Sequence, residues 1–403
     1  MMLETIREFA LERLVESGEY EQVHERHVDY YLALAEATSL LDGSADITLR
    51  LQRLEAEHGN LRAALTWSLE AMRDAEEILR LTRVLASFWY YGGYWREGRQ
   101  LLEQALASTS VAEGTSLRAQ VGLHLAELAF GQADFTVART WLEQSLVHFR
   151  KVGDPIGIAS VLSTLGLVVR EQGDAALARE FLEESLARFR EQNARVSIPW
   201  ALCSLGEVMV MQGDPVNAKR LLEEGLAMFR KQGEQLGIGW VYNHLGHVAQ
   251  LEKDYALARS WHEASLPQFR DRDRNGTAWA LCSLGQIAYA QDDLERATSH
   301  YAESLALFRE LESKQGIAWC LAGMAGVAEK FGQLERAARL WGAVDTLRAC
   351  DRGRPAPGSP DYEEQAIASV RAQLDAEVFS QAWAEGQSAY LEQVLAFALD
   401  DKS

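Results

Sequence analysis

Residues 157–196 read GIASVLSTLGLVVREQGDAALAREFLEESLARFREQNARV, and this stretch decides the fold. Its first half places apolar residues at helical spacing, at Ile158, Val161, Leu162, Leu165, Val168 and Val169. Gly173 suits the left-handed end of a helix, and Asp174 suits the N-cap of the next one. The second half repeats the helical spacing at Ala178, Leu182, Leu186 and Phe189. The stretch therefore predicts a hairpin of two helices, near 157–172 and 175–191.

The same pattern recurs about every 40 residues along the chain. A leucine–glycine pair recurs at Leu165-Gly166, Leu205-Gly206, Leu245-Gly246 and Leu284-Gly285. The capping aspartate recurs at Asp134, Asp174, Asp214, Asp254 and Asp293. Each unit closes on an aromatic–arginine pair, at Phe149-Arg150, Phe189-Arg190, Phe229-Arg230, Phe269-Arg270 and Phe308-Arg309. Such a repeat predicts an all-α solenoid, a superhelix of about seven hairpins.

The repeats do not fill the whole chain, so we divide it into three parts. Residues 1–75 are predicted to form an N-terminal helical adaptor, and residues 76–350 the repeat array. Residues 351–403 combine a turn-rich loop, 352–360, with a C-terminal helical cap.

Composition limits the partners of this chain. The formal net charge is −19 and the sequence pI is about 5.0. A surface this negative repels nucleic-acid phosphates and anionic lipids, so we expect no direct nucleic-acid binding and no membrane association. The four cysteines form neither a CxxC pair nor a tight cluster, which favours a reducing cytoplasm.

The order leucine–glycine, glycine–aspartate, alanine, aromatic resembles the tetratricopeptide repeat. Units of 40 rather than about 34 residues resemble the repeats of bacterial STAND-class ATPase transcriptional regulators of the LuxR and AfsR types. Four terminal segments also resemble those regulators, namely MLETIREFALERL at 2–14, EAEHGNLRAAL at 55–65, RAARLWGAV at 336–344 and AWAEG at 382–386.

The resemblance implies an interaction and sensing module rather than an enzyme. It would bind a protein, a peptide or a small inducer in the concave groove of the superhelix. A nucleotide-binding and winged-helix module would lie before residue 1, and no GxxxxGK[ST] phosphate loop is found in this sequence. The alternative is a stand-alone repeat scaffold or oligomerisation protein.

A tryptophan column marks the predicted groove. One repeat position is occupied in four consecutive units, by Trp200, Trp240, Trp279 and Trp319. By resemblance, this position and those three, four and seven residues later face the groove, which adds Asn243, His244, His247, Glu207 and Gln286. The indoles could grip an extended partner. They could instead be buried between neighbouring helices, and both interpretations hold if ring edges stay exposed.

We predict no catalytic residue, no metal site and no cofactor. His244 and His247 lie three residues apart, with His262 on the following helix, but no carboxylate or cysteine pattern completes a metal site. We interpret these histidines as solvated or groove-lining. Paired carboxylates such as Glu183-Glu184 recur in unit after unit, whereas a catalytic pair is needed only once.

Overall fold

The computed structural model describes residues 4–38, 47–109, 115–270, 272–349 and 360–399. Within these ranges the regular structure is entirely helical. The helices are α1 Glu4–Ser17, α2 Tyr20–Ala37, α3 Ile47–Ala56, α4 His58–Glu70, α5 Ala75–Gly92, α6 Trp95–Ser108, α7 Ser116–Gly131, α8 Phe135–Val152, α9 Pro155–Glu171, α10 Ala175–Glu191, α11 Ser197–Met211, α12 Pro215–Gln232, α13 Gln235–Leu251, α14 Tyr255–Phe269, α15 Arg274–Ala290, α16 Leu294–Glu310, α17 Lys314–Lys330, α18 Leu334–Ala349, α19 Pro360–Gln373, α20 Ala376–Ser388 and α21 Leu391–Leu399. Residues 352–359 of the predicted loop lie outside the described residues.

Helices α5 to α18 pair consecutively into seven hairpins. The predicted fold class, an all-α solenoid of about seven hairpins, is confirmed. The first helix of each hairpin lies on the inner side of the superhelix, because the residues around the central cavity come from these first helices. The second helices form the outer layer.

The hairpin α9–α10 shows what the recurring residues of the repeat do in the structure. Gly173 takes a left-handed conformation, with φ of 89°. Asp174 then caps α10 by accepting a hydrogen bond of 3.0 Å from the backbone N–H of Leu177. At the crossing, a Cβ on Gly166 would lie 2.7 Å from Cγ of Leu182, so a larger side chain would force the two helices apart.

In four hairpins, a phenylalanine at the end of the second helix joins that hairpin to the next one. The ring of Phe229 packs edge-on against Trp200 of its own hairpin, with 5.0 Å between ring centroids. Its other side covers Gly237 at the start of α13, where a Cβ would collide with the ring. The same phenylalanine–glycine contact recurs at Phe149-Gly157, Phe269-Gly276 and Phe308-Gly316. These glycines were not singled out from the sequence.

The superhelix closes on itself. Tyr91 of α5 packs in one apolar cluster with Leu236 and Phe269, which are more than 140 residues away along the chain. Arg96 at the start of α6 forms an ion pair of 3.3 Å with Glu312, in the turn before α17. The first hairpin therefore meets the last ones, and the concave surface becomes a partly open central cavity rather than a long groove.

The terminal segments pack onto the array. At the C-terminal end, Gly342 of α18 touches the backbone of Trp383 in α20, and Gly386 of α20 touches the backbone of Arg339. The two motifs at 336–344 and 382–386 thus interlock through two glycines that admit no side chain. At the N-terminal end, His58 of α4 forms a hydrogen bond of 2.8 Å with Glu97 of α6. The division at residues 75 and 350 stays a prediction.

Candidate functional site

A cavity of about 380 Å³ lies at the centre of the superhelix. Side chains from all seven first helices surround it, together with Ser313, which caps α17. Its lining consists of Ser87, Tyr90, Tyr91, Glu127, Phe130, Gly131, Thr164, Leu167, Arg170, Glu171, Trp200, Cys203, Ser204, Glu207, Trp240, Asn243, His244, His247, Asn275, Trp279, Ser313, Gln315 and Trp319. Eight of the nine residues predicted for the groove are in this lining, and Gln286 is not.

The cavity crosses the inner surface diagonally, which explains why Gln286 does not line it. In α5 and α7 the lining residues belong to the last turns of the helix, as Tyr90 and Phe130 do. In α15 and α17 they belong to the first turns, as Trp279 and Gln315 do. Each inner helix is displaced relative to the one before, so no single repeat position faces the cavity throughout. Gln286 lies too near the end of α15 to reach it.

The tryptophans combine the two predicted roles. Trp200, Trp240 and Trp279 are half-buried, and Trp319 is only 4% exposed. Each of the first three packs edge-on against the closing phenylalanine of its own hairpin, with ring centroids 4.7 to 5.3 Å apart. Trp279 and Trp319 also contact each other, at 4.7 Å. The indoles are therefore anchored in the array while they line the cavity.

Trp240 is held in place by a hydrogen bond as well. Its Nε1 donates to Oδ2 of Asp273, at 3.0 Å. Asp273 caps α15 and is buried, and burial raises the pKa of its carboxyl group. The indole orientation is thus linked to the start of the next inner helix.

A buried charge network forms one wall. The guanidinium of Arg170 donates from Nε to Oε1 of Glu171 at 2.8 Å, and from Nη1 to Glu207 on α11. Burial opposes the charge of Arg170, but Glu207 and Glu171 raise its pKa above the usual value. Gln315 of α17 donates to Glu171, and Nδ1 of His244 lies 3.6 Å from Oε2 of Glu207. The network joins α9, α11, α13 and α17 across the cavity.

Asn243 is a polar side chain of the cavity whose hydrogen-bonding groups are left unsatisfied by the described part of the chain. Its side chain lines the cavity and is only 1% exposed. Neither Oδ1 nor Nδ2 has a hydrogen-bond partner among the described residues. A buried amide without partners costs about 1–3 kcal/mol, so it points to a ligand that supplies one donor and one acceptor.

The histidines are placed differently from one another. Glu207, His244 and His247 each offer a ligand atom, all within 4.8 Å of one another. The sequence did not show this group, because Glu207 comes from the preceding inner helix. Glu207 also contacts Arg170, whose charge opposes a cation at this position. The absence of a metal stays a prediction.

His262 corrects the interpretation of the three histidines as solvated or groove-lining. It is fully buried and is not in the cavity lining, because it packs from α14 against Gly246. Burial, together with His247 and His244, holds the pKa of His262 well below its usual range.

Sequence reasoning missed the contribution of the first hairpin. Tyr90 and Tyr91 close one side of the cavity, and burial raises the pKa of both hydroxyls. Contact between helices so far apart in the chain leaves no periodic signal. The only hint of this contact in the sequence was the run of four aromatic residues at 88–91. Four consecutive aromatic residues make more than one face of the helix end apolar.

Comparison with known proteins identifies the repeats. Residues 116–191, 157–231 and 237–310 match the tetratricopeptide repeat family. These segments form a tetratricopeptide-repeat array. The array carries at least the hairpins from α7 to α16, which include most of the cavity wall.

The chain also has relatives among bacterial regulators. Proteins of Mycobacterium tuberculosis and Mycobacterium bovis, each named "Putative HTH-type transcriptional regulator", are 36% identical over 172 residues. That alignment covers 41% of this chain and 19% of the relatives. The resemblance to repeat regions of bacterial transcriptional regulators is thereby confirmed over this part.

Two solved structures agree with this chain in fold, the Rap protein and RapI. A Rap protein complexed with Competence and Sporulation Factor matches with a TM-score of 0.56 and 14% identity, over 93% of this chain and 97% of its own. The apo form of RapI gives 0.53 and 15%, over 71% and 98%. A STAND protein of Pyrococcus horikoshii with a tetratricopeptide repeat sensor gives 0.45 and 15%, over 92% and 54%. In the described part of the chain, no helix is long and apolar enough to cross a membrane.

Proposed function

We propose that this chain is the sensing module of a bacterial transcriptional regulator and that it binds a short peptide or a small inducer in its central cavity. The observation that carries the proposal is Asn243, a buried and unpartnered amide in an aromatic cavity. The cavity volume, about 380 Å³, falls within the range of about 300–1,000 Å³ typical of ligand pockets. The lining combines aromatic side chains, which offer apolar contact, with polar and charged groups that can fix the orientation of a ligand, and both are expected of such pockets.

The relatives support the same proposal. The Rap protein of similar fold is complexed with Competence and Sporulation Factor, and the mycobacterial relatives carry the name of HTH-type regulators. In this proposal the chain is non-enzymatic, holds no cofactor and works in the cytoplasm. The partner that reads its state is a nucleotide-binding and winged-helix module joined at the N-terminal side.

The closure of the superhelix supplies a route for the signal. A ligand in the cavity contacts Tyr90 and Tyr91 of α5 as well as the inner helices α11, α13, α15 and α17. A ligand that binds this closed arrangement better than an open one therefore shifts the first hairpin toward the closed position. Helices α2 to α4 pack on that hairpin, for example through the ion pair of 2.7 Å between Arg80 and Glu36. A stand-alone scaffold, the alternative, would leave the cavity empty of ligand.

Replacing Asn243 with leucine tests this proposal. We expect the free protein to gain about 1 kcal/mol of unfolding free energy, because the buried amide without partners is removed. We also expect ligand affinity to fall at least ~10-fold, because two hydrogen bonds to the ligand are lost. The measurements are thermal unfolding and affinity selection from a pool of capped pentapeptides and a pool of bacterial metabolites.

The matched control is Asn217→Leu, because Asn217 is exposed on the outer helix α12. This variant should capture the same ligands as the wild-type protein. The proposal is wrong if the wild-type protein captures nothing from either pool. It is also wrong if Asn243→Leu captures the same ligands with unchanged affinity.

A further inference from the structure

The charged groups in the cavity do not balance. Three carboxylates line it, those of Glu127, Glu171 and Glu207, against the single guanidinium of Arg170. Glu171 and Glu207 both contact Arg170, so this cluster retains one excess negative charge as long as His244, 3.6 Å from Glu207, is neutral. Glu127 lies on α7 and adds a further carboxylate, which is hydrogen-bonded to His124 at 2.8 Å.

The ion pairs that Arg170 already forms argue against an anionic ligand. The Nε and Nη2 atoms of Arg170 donate to Glu171 and its Nη1 donates to Glu207, so three of its five N–H groups and its positive charge are already engaged by carboxylates. Turning the guanidinium toward an anion would break a buried ion pair, at a cost of about 3–5 kcal/mol. An anion would also face the remaining carboxylates in a site where solvent screens charges poorly.

The aromatic lining favours a cation. Tryptophan and tyrosine faces carry negative electrostatic potential and attract ammonium and guanidinium groups within about 6 Å of the ring centroid. Trp200, Trp240, Trp279 and Tyr90 present such rings around the same volume as the carboxylates. The chain as a whole has a net charge of −19, which raises the local concentration of cations.

We infer that the cavity selects a peptide through a positively charged side chain, lysine or arginine, which lies among the carboxylates and the indole rings. The inference rests on the proposed function, since it names the chemistry of the ligand in the same cavity. Asn243 would bind the peptide backbone, and the carboxylates would select the side chain.

Matched peptide pools test the charge of the ligand. Each pool holds capped pentapeptides with neutral residues at four positions and one fixed central residue, which is arginine, citrulline or glutamate. Citrulline has nearly the shape of arginine without its charge. At pH 8, where imidazoles are mainly neutral, we expect the full chain to retain arginine peptides at least ~10-fold better than citrulline peptides, and glutamate peptides least.

A variant then locates the effect. Glu127→Gln should weaken binding of the best arginine peptide about 10-fold and leave its citrulline counterpart unchanged. Glu183→Gln is the control, because Glu183 is half-exposed on the outer helix α10. Since the side chain of Glu127 is itself 38% exposed, the variant should fold normally.

Each outcome decides the inference. Equal retention of the arginine and citrulline pools, or better retention of the glutamate pool, overturns the cationic ligand while peptide binding stands. If no pool is retained, the peptide ligand is wrong as well. Equal loss of both peptides with Glu127→Gln overturns the role of the carboxylates.

Discussion

Replacing Arg170 with methionine is expected to lower the free energy of unfolding by about 3–5 kcal/mol. The substitution leaves Glu171 and Glu207 buried without their guanidinium partner, and each of these residues is less than one-tenth exposed. An unpaired buried charge is far less stable than the intact pair. Chemical denaturation followed by tryptophan fluorescence measures the loss.

Two further variants serve as controls for this measurement. Arg188→Met removes an exposed ion pair of 2.9 Å with Glu184 and should cost no more than about 1 kcal/mol. Adding Glu171→Gln and Glu207→Gln to Arg170→Met should restore much of the stability, because the buried charges are then removed together. If Arg170→Met costs no more than Arg188→Met, the network is not the buried structural element described above.

Replacing Phe269 with alanine is expected to cost about 3–5 kcal/mol of unfolding free energy. Its ring is fully buried and packs between Trp240, at 5.3 Å, and Gly276 of the next hairpin. The cavity left by the ring would separate two hairpins, and stability in a solenoid depends on such interfaces. Ligand binding should weaken too, because Trp240 loses its support.

Phe331→Ala is the matched control for this substitution. Phe331 lies in the turn after α17 and is 55% exposed, so its removal should change stability by less than about 0.5 kcal/mol. The interpretation of the closing phenylalanines as joints between hairpins fails if Phe269→Ala and Phe331→Ala have similar effects. Equilibrium denaturation of both variants under the same conditions decides the matter.

Local regularities carried the prediction of the fold. Apolar spacing, glycine–aspartate turns and the 40-residue period all depend on interactions within one hairpin or between neighbours, so they repeat visibly in the chain. Asp174 and Gly166 are examples, since the structure shows the cap and the close crossing that their positions predicted. Contacts between the first and last hairpins occur once and leave no repeat, so closure by Tyr90 and Tyr91 was not foreseen.

Only part of the candidate site could be predicted from the sequence, for a related reason. The tryptophan column occupies one repeat position, and a fixed position would line a straight groove. The inner helices shift relative to one another, so the cavity uses the last turns of α7 and the first turns of α17. Because of this shift, Arg170 and Glu171 line the cavity and Gln286 does not. In solenoids such a shift accumulates from the small rotation between successive repeats, which no single residue reveals.

Hydrogen–deuterium exchange tests most directly whether the central cavity is the ligand site. The wild-type chain is compared with and without the peptide or metabolite that it captures from the pools. If the cavity is the ligand site, we expect slower exchange in α11 and α13 and in the last turns of α5, where Tyr90 and Tyr91 lie. Protection confined to the outer helices α12, α14 and α16, with the inner helices unchanged, would contradict it.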